Sequence, residues 1–160
     1  MTRTLSILGA TGSIGASTLD LIRREAGKWH VVALTAQTNV AELAKLAREF
    51  SAEIAVVGDE ACLPALREAL AGSGIEAAGG SPALVQAASR PAGPFPAAFG
   101  GCAGLEPVMA AIEQGTTVGL ANKEALLSAG DVMTTAVARC GATLLPVDSE
   151  PNAIHQNMPR

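Results

Sequence analysis

Residues 5–15 read LSILGATGSIG, and this stretch decides the fold. A short apolar run enters a turn carrying Gly9, Gly12 and Gly15, and a helical pattern over 13–24 follows at once. Each glycine has its own physical use at such a strand-to-helix turn. Gly9 permits the tight turn, Gly12 lets backbone N–H groups approach a diphosphate, and Gly15 lets the helix pack close to the strand. The helix start then offers unpaired N–H groups and a partial positive charge. Thr11 and Ser13 add hydroxyl donors. The spacing is GxxGxxG rather than GxGxxG, and taken alone it also fits a turn that uses glycine for geometry only. The strand before it and the helix after it favour nucleotide binding.

Working outward, short apolar runs alternate with longer amphipathic ones. Strands are expected over 4–8, 29–35, 54–57, 117–120 and 143–147, with shorter ones over 75–78 and 97–100. Helices are expected over 13–24, 40–50, 60–70, 105–114 and, for the most part, 121–140, and another running to Ala88 with Ser81 as N-cap and Pro82 at its first helical position. The proline-rich stretch 90–96 reads as a loop. Strands alternating with helices of this length imply βαβ units. The expected fold is a doubly wound, mostly parallel, Rossmann-like α/β sheet with helices on both faces and strand 4–8 in its interior. The cofactor-binding domain is expected over residues 1–147. Residues 148–160 are expected to begin a further region of a longer protein.

Bulk properties exclude several classes. Apolar residues make up 49% of the 160 and charged ones 16%, which argues against disorder. Trp29, Phe50, Phe95 and Phe99 are the aromatic residues, so the core must be built from Ala, Val, Leu and Ile. The net charge is −4 and no basic stripe is present, so no nucleic-acid partner is expected. Cys62, Cys102 and Cys140 are far apart and suggest neither a disulfide framework nor a zinc site. No apolar run has the length of a membrane span. The N-terminus enters a strand pattern directly, and the expected location is cytoplasmic.

Three further stretches carry candidate chemistry. LTAQTNV (34–40) ends the second strand with Gln37, Thr38 and Asn39 and no carboxylate. An Asp or Glu there would hold a ribose 2′-OH, so its absence favours NADP over NAD. GLANKEALLSAG (119–130) puts Asn122, Lys123 and Glu124 on a strand-to-helix turn, where a lysine can pair with a phosphate or carbonyl. The same residues also fit a simple helix start capped by Asn122. LLPVDSEPNAI (144–154) puts Asp148 and Glu150 two apart past a strand end, with Ser149 between them. Such a pair repels itself unless a cation or proton intervenes, and hard oxygen ligands suit Mg²⁺ or Mn²⁺. Helix capping by Asp148 or Ser149 is the alternative. His30 reads as a strand surface residue and His155 as structural.

GATGSIGASTLDLIR, LANKEALLSAG and LLPVDSEPNAI together, in this order, resemble three motifs of the 1-deoxy-D-xylulose 5-phosphate reductoisomerase family. The resemblance covers nearly the whole chain but only the N-terminal part of the family's longer proteins. It implies an NADPH-dependent reductoisomerase of non-mevalonate isoprenoid biosynthesis, which yields 2-C-methyl-D-erythritol 4-phosphate with the help of Mg²⁺ or Mn²⁺. It further implies that Thr11, Gly12, Ser13 and Ile14 cradle the NADPH diphosphate. Gln37, Thr38 and Asn39 would face the 2′-phosphate, and Asn122 and Glu124 would contact NADPH. Lys123, Ser149 and Glu150 would meet the phosphorylated sugar substrate, with Lys123 and Glu150 catalytic and Asp148 and Glu150 on the metal. A homodimer of the full-length protein is implied as well. Pro151 stands where the family has histidine, and His155 where it has an aromatic. The competing readings are a stand-alone nucleotide-binding module and another NAD(P)-dependent dehydrogenase acting on a sugar nucleotide or semialdehyde.

Overall fold

A computed structural model describes residues 2–92, 105–121 and 123–146. The chain runs β1 (Arg3–Ile7), α1 (Ser13–Arg24), β2 (Trp29–Ala36), α2 (Val40–Glu49), β3 (Ile54–Val57), a 3-10 turn (Glu60–Cys62), α3 (Leu63–Ala69), β4 (Glu76–Gly79) and α4 (Ser81–Ala88). It continues with α5 (Leu105–Glu113), β5 (Thr117–Leu120), α6 (Lys123–Cys140) and β6 (Thr143–Pro146). Among the described residues every strand pairing is parallel. One sheet has the order β1-β2-β3-β4, and β5 pairs with β6.

Successive strand residues point to opposite faces, and the core divides accordingly. Leu5, Ile7, Ala55 and Val57 meet Leu19 and Ile22 of α1, Leu43 and Leu46 of α2, and Leu66 of α3. On the other face, Ala33, Ile54 and Val56 meet Leu84 and Ala87 of α4. Leu8 joins this second side, packing with Val108 and Ile112 of α5, Val118 and Leu120 of β5, and Met133 of α6. Crossovers between parallel strands are right-handed, so steps in one direction along a sheet keep their helices on one face. The steps from β1 to β4 carry α1, α2 and α3 on that face. The change of face at α4 therefore marks the chain turning back past β1 toward β5, which is the doubly wound arrangement.

The small side chains read from the sequence make this packing close. β3 is fully buried along its length as Ile-Ala-Val-Val, and complete burial of one such aliphatic side chain is worth about 1.5–3 kcal/mol.

Four details differ from the sequence reading. Among the described residues β1 borders the four-stranded sheet rather than lying between two strands. Ser6 and Leu8 face Thr117 and Val118 across a small cavity, and the expected strand over 97–100 lies outside the described residues. The helix expected over 60–70 begins as a 3-10 turn. An α-helix from Glu60 would need Pro64 to donate to the Glu60 carbonyl, and proline has no N–H to give. Ser81 is not the N-cap of α4: Gly80 is, at φ 92, and Ser81 is the first helical residue. The chain leaves β4 through a left-handed conformation that glycine adopts at little cost, so the cap falls one residue earlier. Finally, α6 is two helical pieces meeting at Ala129, whose φ of −138° and ψ of 21° break the helix.

Candidate functional site

The turn after β1 is held from below by β2. Gly9 sits at φ 88, a conformation that strongly favours glycine. Its N–H donates to Thr35 Oγ1 at 3.0 Å, and the neighbouring Ala10 N–H donates to the Thr35 carbonyl at 2.7 Å. Thr35 is buried, at 2% exposure, so it fastens the turn with both its side chain and its backbone. The Gly12 N–H closes the turn onto the Gly9 carbonyl at 3.1 Å.

Gly12 and Gly15 are glycines for different reasons. A Cβ on Gly15 would stand 2.4 Å from the Gly9 carbonyl oxygen and 2.6 Å from the Ala10 Cα. Backbone atoms cannot step aside, so Gly15 sets how closely α1 packs onto the turn. A Cβ on Gly12 would meet only the Gly9 carbonyl oxygen, at 3.4 Å, an ordinary contact. With φ −81 and ψ 173 its backbone suits any residue. Gly12 is also exposed, as is Ser13, while Thr11 and Ile14 are half-buried. Nothing within the described protein requires glycine at position 12, which leaves its outer side as the place where its smallness matters.

That outer side is the N-terminus of α1. The first intrahelical donor is Ala16, bonded to the Gly12 carbonyl at 2.9 Å. Gly12, as N-cap, supplies no side-chain bond, and the first turn carries no acidic residue. The N–H groups of Ser13, Ile14 and Gly15 thus have no intrahelical acceptor, and no carboxylate in the first turn competes for them. An anion there gains hydrogen bonds and up to about 1–2 kcal/mol from the helix dipole.

Beside this turn, at the end of β2, lie Gln37, Thr38 and Asn39, all exposed. Asn39 is the N-cap of α2 and accepts from the Glu42 N–H at 3.3 Å. That bond uses its amide oxygen and leaves both amide N–H donors available. The turn after β3 is tied to the same place. The Gly58 N–H donates to the Ala36 carbonyl at 2.8 Å and the Asp59 N–H to the Gln37 carbonyl at 3.0 Å. The Asp59 carboxylate accepts from the Ala61 N–H at 3.0 Å, which turns it into its own loop.

Lys123 and Glu124 open α6 just after β5, so the expected turn into a helix is present. Asn122, Asp148, Ser149 and Glu150 lie outside the described residues. Among the described residues no three His, Cys, Asp or Glu side chains converge as a metal site. His30 stands on the outside of β2 with its Nε2 2.7 Å from Glu53 Oε1, a surface pair as the sequence suggested. Thr35 and Gly58 are the residues that sequence reasoning passed over. A threonine in a β-strand looks like an ordinary strand former, and a glycine after a buried strand looks like a simple turn.

A parallel sheet with helices on both faces, and a glycine turn that presents a bare helix N-terminus, define a Rossmann-like α/β domain. The family described as 1-deoxy-D-xylulose 5-phosphate reductoisomerase matches residues 5–130, and the chain belongs to that family. A reductoisomerase of Afipia carboxidovorans is 57% identical over 156 residues, covering 98% of this chain and 38% of the relative. One of Nitrobacter hamburgensis is 54% identical over 154 residues, covering 96% of this chain and again 38% of the relative. The chain therefore spans well under half the length of these curated relatives. Among solved structures, the reductoisomerase of Zymomonas mobilis in complex with NADPH superposes with a TM-score of 0.95 at 52% identity, over 100% of this chain and 42% of that one. A reductoisomerase in complex with NADPH, fosmidomycin and magnesium superposes with a TM-score of 0.91 at 37% identity, over 98% of this chain and 39% of that one.

Proposed function

We propose that this chain is the NADPH-binding part of a 1-deoxy-D-xylulose 5-phosphate reductoisomerase, which rearranges and reduces that sugar phosphate to 2-C-methyl-D-erythritol 4-phosphate. The observation that carries the reading is the contrast at the first turn. Gly15 is required by packing, whereas Gly12 is free of internal constraint and stands beside uncapped N–H groups. Such a surface suits a diphosphate. Its similarity to reductoisomerases solved with NADPH and with magnesium supports the same assignment.

NADPH supplies the hydride for the reduction when bound. Thr11, Gly12, Ser13, Ile14 and Gly15 would hold its diphosphate through backbone N–H groups and hydroxyls, with Gly9 shaping the turn. Gln37, Thr38 and Asn39 would meet the 2′-phosphate as neutral donors. Asn122 and Glu124 would contact NADPH, and Lys123 would pair with the substrate at the head of α6. Asp148 and Glu150 would contribute carboxylates to a Mg²⁺ or Mn²⁺ site, with Ser149 and Glu150 touching substrate. On this reading residues 1–147 form the cofactor domain and 148–160 begin the metal and substrate region. The working enzyme would be a cytoplasmic homodimer.

The test is turnover by a full-length family protein carrying this sequence, supplied with 1-deoxy-D-xylulose 5-phosphate, NADPH and Mg²⁺. NADPH oxidation dependent on the sugar phosphate is expected, and its absence refutes the assignment. In that protein Glu150→Gln keeps shape but removes the charge that would hold the cation. It should cut turnover by about 100-fold or more, in line with the loss of a charged group acting on a metal-bound transition state, while NADPH affinity stays within about twofold. Normal turnover in the variant would leave Glu150 a helix-start residue.

A further inference from the structure

Gly58 follows β3, beside the loop 37–39, and its surroundings are unlike those of the glycines in ordinary turns. A Cβ placed on it would stand 2.3 Å from the Gln37 Oε1, 2.9 Å from its Cδ and 3.1 Å from its Nε2. No other neighbour comes closer than these. Gly58 is not among the glycines with positive φ, so its backbone would accept an L side chain. Its N–H bond to the Ala36 carbonyl does not depend on being glycine either. A side chain at position 58 would have to displace the Gln37 carboxamide from where it lies. Gln37 is exposed, and its carboxamide lies against the Gly58 backbone, where no Cβ stands in its way.

We infer that Gly58 is a specificity-determining positioning residue: by seating the Gln37 carboxamide at the C-terminal edge of β3, it sets the donor that distinguishes a 2′-phosphorylated dinucleotide from its 2′-hydroxyl counterpart. The inference rests on the NADPH reading above. A dinucleotide with its diphosphate on the Gly12 turn runs its adenosine ribose across the end of β2, where Gln37, Thr38 and Asn39 stand. No arginine or lysine lies in that loop, so recognition of a doubly charged phosphate falls to neutral donors, whose strength depends on correct placement. The Asp59 carboxylate, which would oppose the phosphate, is turned onto the Ala61 N–H. Asp59 donates its own N–H to the Gln37 carbonyl, which ties the two turns together.

The experiment compares the full chain with Gly58→Ala, Gln37→Ala and the double variant, titrating each with NADPH and with NADH by calorimetry. The steric conflict in Gly58→Ala falls on the end of a flexible side chain, so its Tm should stay close to that of the unsubstituted protein. Either single substitution should weaken NADPH by about tenfold, the scale of one hydrogen bond to a charged group, and leave NADH unchanged. The double variant should be no worse than Gln37→Ala, because both changes act through the same carboxamide. In it the steric conflict is gone, so its Tm should match that of Gln37→Ala; a Tm well below that would assign the Gly58→Ala effect to folding and overturn the inference. Gly58→Ala retaining the original NADPH-to-NADH ratio, or losing both nucleotides equally, overturns the inference while leaving the cofactor reading intact. No binding of either nucleotide by the unsubstituted protein overturns the cofactor reading and this inference with it.

Discussion

Gly12 and Gly15 stand three apart on the same turn, and their substitutions should separate binding from folding. Gly15→Ala forces a Cβ to within 2.7 Å of three backbone atoms. It should destabilise the protein by about 1–3 kcal/mol or more, read as a fall in Tm. Gly12→Val meets no such obstacle. Its circular dichroism and Tm should stay near those of the unsubstituted protein while NADPH and NADH binding are both lost, because the side chain would fill the place proposed for the diphosphate. Thr35→Val keeps the shape of a buried residue but leaves the Gly9 N–H without its acceptor. The expected cost is about 1–3 kcal/mol in denaturant unfolding, and Thr35→Ser should recover most of it. The glycines were legible in the sequence because their spacing is local. Thr35 was not, because its partner is 26 residues away and only the parallel pairing of β1 with β2 brings them together.

At the scale of elements, α1 is the helix that presents the site, and its far end is pinned to α2 by charge. Arg23 pairs with Asp20 in its own helix and with Glu49 at the end of α2, and its guanidinium lies 5.4 Å from the centre of the Phe50 ring. The Arg23 hydrogen bond holds the Glu49 carboxyl below the usual glutamate range. Glu25 is lowered likewise, first by the Trp29 indole N–H and then by Lys28. A carboxylate with a depressed folded-state pKa stabilises the fold above its unfolded pKa and loses that contribution as pH falls through the folded one. Stability should therefore decline with acid from about pH 4.3 downward, and the decline should be shallower in Arg23→Gln. All these groups are exposed, so the effect is small and should fade in high salt. Thermal melts across pH at two salt concentrations would show it.

Boundaries at this scale were legible where they depend on local pattern. The expected 13–24, 54–57 and 117–120 match α1, β3 and β5. They were missed where backbone geometry decides. Pro64 forces a 3-10 entry into α3, Gly80 takes the cap that Ser81 seemed to offer, and Ala129 splits α6. The split means that the Lys123–Glu124 end of α6 is set by β5 and its own short helical piece, with the remainder packing through Met133 and Ala136 against α5.

For the whole molecule, alternating strands and helices implied parallel pairing and two-sided cover, and α1–α3 on one face with α4–α6 on the other bear this out. The placement of β1 relative to β5 was not legible, since it depends on packing between segments more than 100 residues apart. Asp148, Ser149 and Glu150, proposed above to meet metal and substrate, carry a motif in the sequence but lie outside the described residues, so that half of the proposed site rests on the family. The cofactor half rests on geometry, and it can be tested on this chain directly. The decisive measurement is a titration of the protein with NADPH and with NADH, by nicotinamide fluorescence or calorimetry, alongside Gly12→Val. The account predicts saturable binding with NADPH tighter than NADH, and loss of both in Gly12→Val at unchanged Tm. No NADPH binding by the unsubstituted protein, or unimpaired binding by Gly12→Val, would contradict it.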